Sequence, residues 1–149
     1  MTYITEFCSN RIMWTGAIGW VAAQVLKAVF VLIWERKLDF KRLVGSGGMP
    51  SSHSSFVMSM STAIGIEEGF DSTYFAIAII MSFITMYDAA GVRRAAGLQA
   101  RALNRIVEKF SSGEFGDAEK KFKELLGHTP VEVIAGAVLG IVIAIIRHA

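Results

Sequence analysis

Residues 13 to 34, MWTGAIGWVAAQVLKAVFVLIW, form a run of 22 residues whose apolar character is broken only by Gln24 and Lys27. As a helix, a run of this length matches the hydrocarbon thickness of a bilayer. Tryptophans at 14, 20 and 34 suit the headgroup boundary. No other feature constrains the chain as much, because a backbone in lipid must satisfy its own hydrogen bonds and the helix is the single-segment way to do so. Three further segments read the same way: 49–66, 73–87 and 130–146. A content of 53% hydrophobic residues and a mean hydropathy of +0.47 lie well above an ordinary soluble domain. The expectation is an all-α integral membrane helix bundle, a single domain over 1–149, with about four transmembrane helices plus one or two interfacial or cytoplasmic helices.

The spans differ in character. Residues 49–66 contain SSFVMSMSTAIGI, rich in serine and methionine, which suits a helix surrounded by other helices better than one facing lipid. Residues 73–87 are near the minimum length for a span. The segment 130–146 carries Gly136 and Gly140 four apart, a spacing that allows close helix packing. With the small residues of the first span, this spacing makes a homodimer a reasonable assembly. Lys27 has two readings: its stem snorkels to the headgroups from a turn or two inside the span, or it faces inward as a cation for a phosphate.

Residues 88–127 change character. DAAGVRRAAGLQARALNRIVEKF carries arginines at 93, 94, 101 and 105 among strong helix formers, which predicts an amphipathic helix at the interface. After SSGEFG, the stretch DAEKKFKELLG predicts a charged helix stopped by Gly127. Of the 15 basic residues, four fall in 35–48 and eight in 88–127, whereas the turn 67–71 has three acids and no base. The positive-inside rule then places both basic loops in the cytoplasm and the acidic turn outside. The lone Cys8 excludes an internal disulfide and a cysteine metal cluster, a net charge of +2 gives no case for nucleic acid, and the N-terminus shows no removable signal peptide.

This topology collects three polar motifs at one membrane face: GGMPSSHSS at the start of the second span, YDAAGVRRAAG at the end of the third, and LGHTPVEV at the start of the fourth. Phosphoryl transfer through a histidine needs a neutral imidazole, a carboxylate that fixes its tautomer, and a proton donor for the leaving oxygen. It also needs cations and hydroxyl or amide donors around the phosphoryl oxygens. The motifs supply each without a metal or cofactor: His128 as nucleophile, Glu132 as its orienter and His53 as acid. Ser51, Ser52, Arg93 and Arg94 would clamp the phosphate, and Gly48 would allow the backbone close approach. Asp88, Lys41, Arg42 and Lys27 are supporting candidates.

At these residues the chain resembles a known family. MPSSHSS is similar to the Pro-Ser-Gly-His motif of the type 2 phosphatidic acid phosphatases, and GHTPVEV to the second half of their third motif. The full set is closer to the divergent branch of small bacterial and plastid membrane proteins, over about residues 20 to 146. The resemblance implies a nucleophilic His128, a proton-donating His53, Glu132 in place of an aspartate, and phosphate-binding Ser51 and Ser52. The parent's first motif has no match, since no Arg-Pro dipeptide occurs. Phe122 stands where the third motif carries an arginine, and Arg93 and Arg94 are the chemically reasonable replacements.

The function expected is hydrolysis of a lipid phosphate monoester or pyrophosphate at the cytoplasmic face of a bacterial cytoplasmic membrane, or of a plastid membrane. The alternatives are a non-catalytic protein that binds or moves phospholipid, and a structural subunit. Each motif also has a plain structural reading. Thr129-Pro130-Val131-Glu132 is a capping box, and on this reading a second role for Glu132 requires its two oxygens to face different partners. The serines around His53 start a helix, Asp88 pairs with an arginine, Arg93 and Arg94 bind headgroups, and Arg101 and Arg105 form a solvated face. His148 has no partner visible in the sequence.

Overall fold

A computed structural model of the chain describes residues 2–35, 48–111 and 127–149. Among these the regular elements are six helices: α1 (Thr2–Ser9), α2 (Arg11–Glu35), α3 (Ser52–Glu68), α4 (Thr73–Ala90), α5 (Val92–Ser111) and α6 (Pro130–His148). Three helical stretches, 11–33, 73–107 and 130–148, are long and apolar enough to cross a membrane. The expected span 49–66 is a helix two to three residues further on, but at 17 residues and rich in serine it is not one of the three. The third expected span extends to Ala90, so Asp88 belongs to α4 rather than to the amphipathic segment. Helix α1 was not anticipated, and the charged helix expected over 117–127 lies outside the described residues apart from Gly127.

Local chemistry sets the helix ends. Asn10 caps α2, its side-chain oxygen accepting from the Met13 N–H at 2.9 Å. Ser51 and Ser72 cap α3 and α4 in extended conformation, each taking up an N–H that the first turn leaves unpaired. Helix α3 stops at Gly69, whose φ of +96° lies in the left-handed region that favours glycine. Only Gly91 separates α4 from α5, and its N–H donates to the Tyr87 carbonyl at 2.8 Å.

Helix α3 is the hub, packed against α2, α4 and α6. Its serines 52, 54, 55, 59 and 61 are buried, so their hydroxyls must bond inside the bundle. Ser55 donates to the Gly19 carbonyl at 2.8 Å, and the Ser61 and Ser82 hydroxyls meet at 2.7 Å. Backbones approach closely on the α6 side. A Cβ on Gly136 would overlap the Ser51 carbonyl, and one on Gly140 would overlap the Ser55 carbonyl. On the α2 side a Cβ on Gly19 would overlap the Ser59 hydroxyl, and Gly16 packs against the Phe56 ring. The small-residue spacings that suggested a dimer are therefore occupied within the chain.

The outer faces are apolar in helical register. Val131, Ile134, Val138, Val142 and Ile145 are exposed along α6, and Ile18, Val21, Val25 and Val29 along α2, as a bilayer-facing surface requires. The inner stripe of α2 is Thr15, Gly16, Gly19, Ala23 and Lys27.

The two ends of the bundle are pinned by different chemistry. At one end His148, its side chain 2% exposed, is 2.9 Å from Glu67 through Nδ1 and 2.9 Å from Thr15 through Nε2. Arg11 donates to the Arg147 carbonyl at 3.3 Å. His148 therefore has two partners, contrary to the sequence expectation, because the tips of α2, α3 and α6 meet there. His148→Ala removes one bond from each partner, leaving Thr15 with the Arg11 carbonyl and Glu67 with Arg11, and is expected to lower stability by about 1–3 kcal/mol, read as a fall in melting temperature in detergent.

Candidate functional site

The opposite end gathers the three polar motifs. The Ser51 N–H donates to the Glu132 carbonyl at 2.9 Å, and the His128 N–H donates to the Ala89 carbonyl at 3.0 Å. These two bonds tie the head of α3 to the first turn of α6 and the tail of α4 to the loop that leads into it. Gly127 makes the second junction possible: a Cβ there would overlap the backbone of Arg93 and Arg94, so only glycine lets α5 begin against this loop.

Thr129 caps α6, accepting from the Glu132 N–H at 3.4 Å, while the Glu132 carboxylate accepts from the Thr129 N–H at 3.1 Å. The capping box expected from the sequence is complete. The same carboxylate lies 3.0 Å from His128 Nδ1. Both contacts use Oε2, which corrects the expectation that two roles require two oxygens: a carboxylate oxygen has two lone pairs and serves both donors.

A hydrogen bond to a carboxylate makes Nδ1 the protonated nitrogen and leaves the lone pair on Nε2. His128 is 2% exposed, and its Nε2 is buried without a hydrogen-bond partner among the described residues. Burial pushes the His128 pKa below the ordinary histidine value; the bond and charge of Glu132 oppose the shift, and the charges of Lys27 and Arg93 add to it. At neutral pH the imidazole is therefore uncharged. A buried polar atom without a partner costs about 1–3 kcal/mol and is uncommon enough to call for an explanation.

His53, exposed on the first turn of α3, sets its ring edge-on to His128 with centroids 6.4 Å apart and planes at 61°. That lies inside the separation of about 8 Å that lets two imidazoles reach one phosphoryl group at hydrogen-bond range. Ser51 and Ser52 are buried at the same place, and Ser51 Oγ accepts from Ser54 Oγ at 3.0 Å. The Arg93 guanidinium is held 2.7 Å from Asp88, and its charge bears on both histidines. Arg94 is brought near through its backbone at Gly127 and is exposed. Gly48, with φ +86°, lies over Lys27. Lys41 and Arg42 lie outside the described residues.

Lys27 is the clearest departure from a plain sequence reading. It does not snorkel to water: it is 3% exposed and in electrostatic range of Glu132, His53 and His128. The signal was its register, since positions 16, 19, 23 and 27 share a helix face and the first three are small. Asn104, 7% exposed on α5, is a buried polar residue that sequence reasoning did not single out.

The sequence matches the divergent PAP2 family over residues 8–143. It is 40% identical over 151 residues to the uncharacterized membrane protein YuiD of Bacillus subtilis (strain 168), an alignment covering 95% of this chain and 96% of that protein. No solved structure matches the chain.

Proposed function

Because the chain belongs to the divergent PAP2 family, we propose that it is a membrane-embedded phosphatase acting on a lipid phosphate monoester or pyrophosphate. The observation that carries this reading is the buried, unpartnered Nε2 of His128, whose other nitrogen is fixed by Glu132. That is the state an imidazole nucleophile needs. Nε2 attacks phosphorus, a P–N bond forms as the bond to the leaving oxygen breaks, and His53 protonates that oxygen. His53 then takes a proton from water as the water displaces His128, releasing phosphate. Arg93, Arg94, Ser51 and Ser52 stabilise the charge on the phosphoryl oxygens, and Asp88 holds Arg93 in position.

In this reading α3 is the fourth span. It runs beside α6 from the Ser51–Glu132 bond at one end to the Glu67–His148 contact at the other, and α6 is itself of membrane-crossing length. The site then lies at the end of the bundle that carries the basic loops, on the cytoplasmic face.

The test is phosphate release by purified protein from vesicles containing phosphatidate, phosphatidylglycerophosphate or a polyprenyl pyrophosphate. Acid-labile phosphohistidine trapped with labelled substrate distinguishes turnover from lipid binding alone. No release from all three lipids sinks the proposal. His53→Gln is expected to slow turnover by about 10²–10⁴-fold and flatten the basic limb of the pH–rate profile. The acid limb reports His128, which must be neutral to attack. Its lowered pKa places that limb below the ordinary value of about 6.5. Since the Glu132 charge raises the His128 pKa, Glu132→Gln should move the limb still lower while the maximal rate falls.

A further inference from the structure

Lys27 is the only charged residue between positions 12 and 34, and α2 turns it into the protein rather than toward water. Its side chain runs beneath Gly48, with Cγ and Cδ 3.5 Å from where a Cβ on that glycine would sit. It lies eight residues before Glu35 at the end of α2, about 12 Å along the helix axis. The flank of α2 over that distance exposes Val29, Phe30, Leu32 and Ile33, an apolar wall. An ammonium at such a place is costly, and a neutral side chain would pack beside Gly48 as well.

Pairing with Glu132 does not account for it. The carboxylate already accepts from His128 Nδ1 and the Thr129 N–H, and a buried ion pair is a poor source of stability compared with apolar packing. What the lysine adds is a positive charge bearing on His53 and His128 together, beneath Gly48, three residues before the Ser51 that bonds Glu132, at the end of the bundle that holds the unpartnered His128 Nε2. A tetrahedral anion at Nε2 would answer both features, taking the lone pair at its central atom and the ammonium at its oxygens.

We infer that Lys27 is a phosphate-binding residue of this site, receiving phosphoryl oxygens from within the membrane-spanning part of α2. The inference rests on the phosphatase reading above and adds to it. The ligand chemistry is a terminal phosphoryl group, which inorganic phosphate and a lipid phosphate monoester share. The recess below the end of α2 and the apolar wall beside it favour the lipid, because its tail stays in the bilayer while the phosphate reaches Lys27.

The experiment compares wild type, Lys27→Met, Lys27→Gln, Lys27→Arg and His128→Ala in nanodiscs. Binding of inorganic phosphate is followed by calorimetry, and binding and turnover of dioleoyl phosphatidate are followed in parallel. Lys27→Met and Lys27→Gln are expected to weaken phosphate binding and raise KM about 10- to 100-fold, with a smaller change in kcat. Lys27→Arg should recover most of the affinity, and His128→Ala should abolish turnover yet bind phosphatidate within a few-fold of wild type. Should the methionine variant fail to fold, the glutamine and arginine variants decide: wild-type affinity in the glutamine variant overturns the role of the charge. Unchanged KM and affinity in both neutral variants of an active enzyme overturn the inference and leave the phosphatase reading standing. If wild type binds neither phosphate nor phosphatidate, the phosphatase reading falls and this inference with it. Phosphate binding lost on Lys27→Gln without any phosphatidate binding supports the anion site and overturns the lipid as its source.

Discussion

On the proposed mechanism, in which His128 forms the covalent intermediate, a His128→Ala protein is expected to lose phosphate release from lipid phosphates by about a thousandfold or more. Labelled phosphohistidine should vanish with it. The fold should largely survive: the substitution removes a buried nitrogen that has no partner, which offsets the lost bond to Glu132. A melting temperature within a few degrees of wild type alongside lost turnover is the expected pair of readings. Full activity in this variant ends the phosphohistidine mechanism.

Gly136→Val is expected to have the largest structural effect in the bundle. The new side chain would drive into the Ser51 carbonyl and crowd the Ser54 Cβ at 3.0 Å, where the backbones of α3 and α6 are already in contact. Overpacking of this kind costs about 1–3 kcal/mol or more. Here it acts one turn from the Ser51–Glu132 bond that joins two halves of the site. Melting in detergent and phosphatidate turnover should fall together. A well-folded, fully active Gly136→Val would mean that α3 and α6 do not approach as described.

How much was legible in the sequence depended on which signal carried each part. The all-helical character and the three membrane-length helices followed from apolar runs, and the capping box from four residues whose side chains act locally. Convergence of the polar motifs followed from charge asymmetry between loops, which needs no knowledge of packing. What escaped reading was set by tertiary contact. The burial of α3 among other helices was legible in its serines, but the partner of each hydroxyl was not. His148 finds Glu67 only because three helix tips meet, 81 residues apart in the chain. Lys27 was ambiguous because a lysine near a span end reads alike whether it turns outward or inward. Sharing of one Glu132 oxygen is a matter of rotamer, which spacing does not encode.

The central place of α3 bears on how the chain enters a bilayer at all. Among its buried serines, Ser55 bonds to Gly19 of α2 and Ser61 to Ser82 of α4, so these hydroxyls find those partners only once the neighbouring helices stand beside it. Helix α2 is made before it and can shelter the side bearing Ser55 and Ser59. The side bearing Ser51 and Ser54 fits against α6, which is synthesised more than sixty residues later. The packing of α3 is therefore expected to be completed only when the last helix is in place. One helix thus both closes the bundle around α3 and, through the loop that leads into it, sets His128 beside His53.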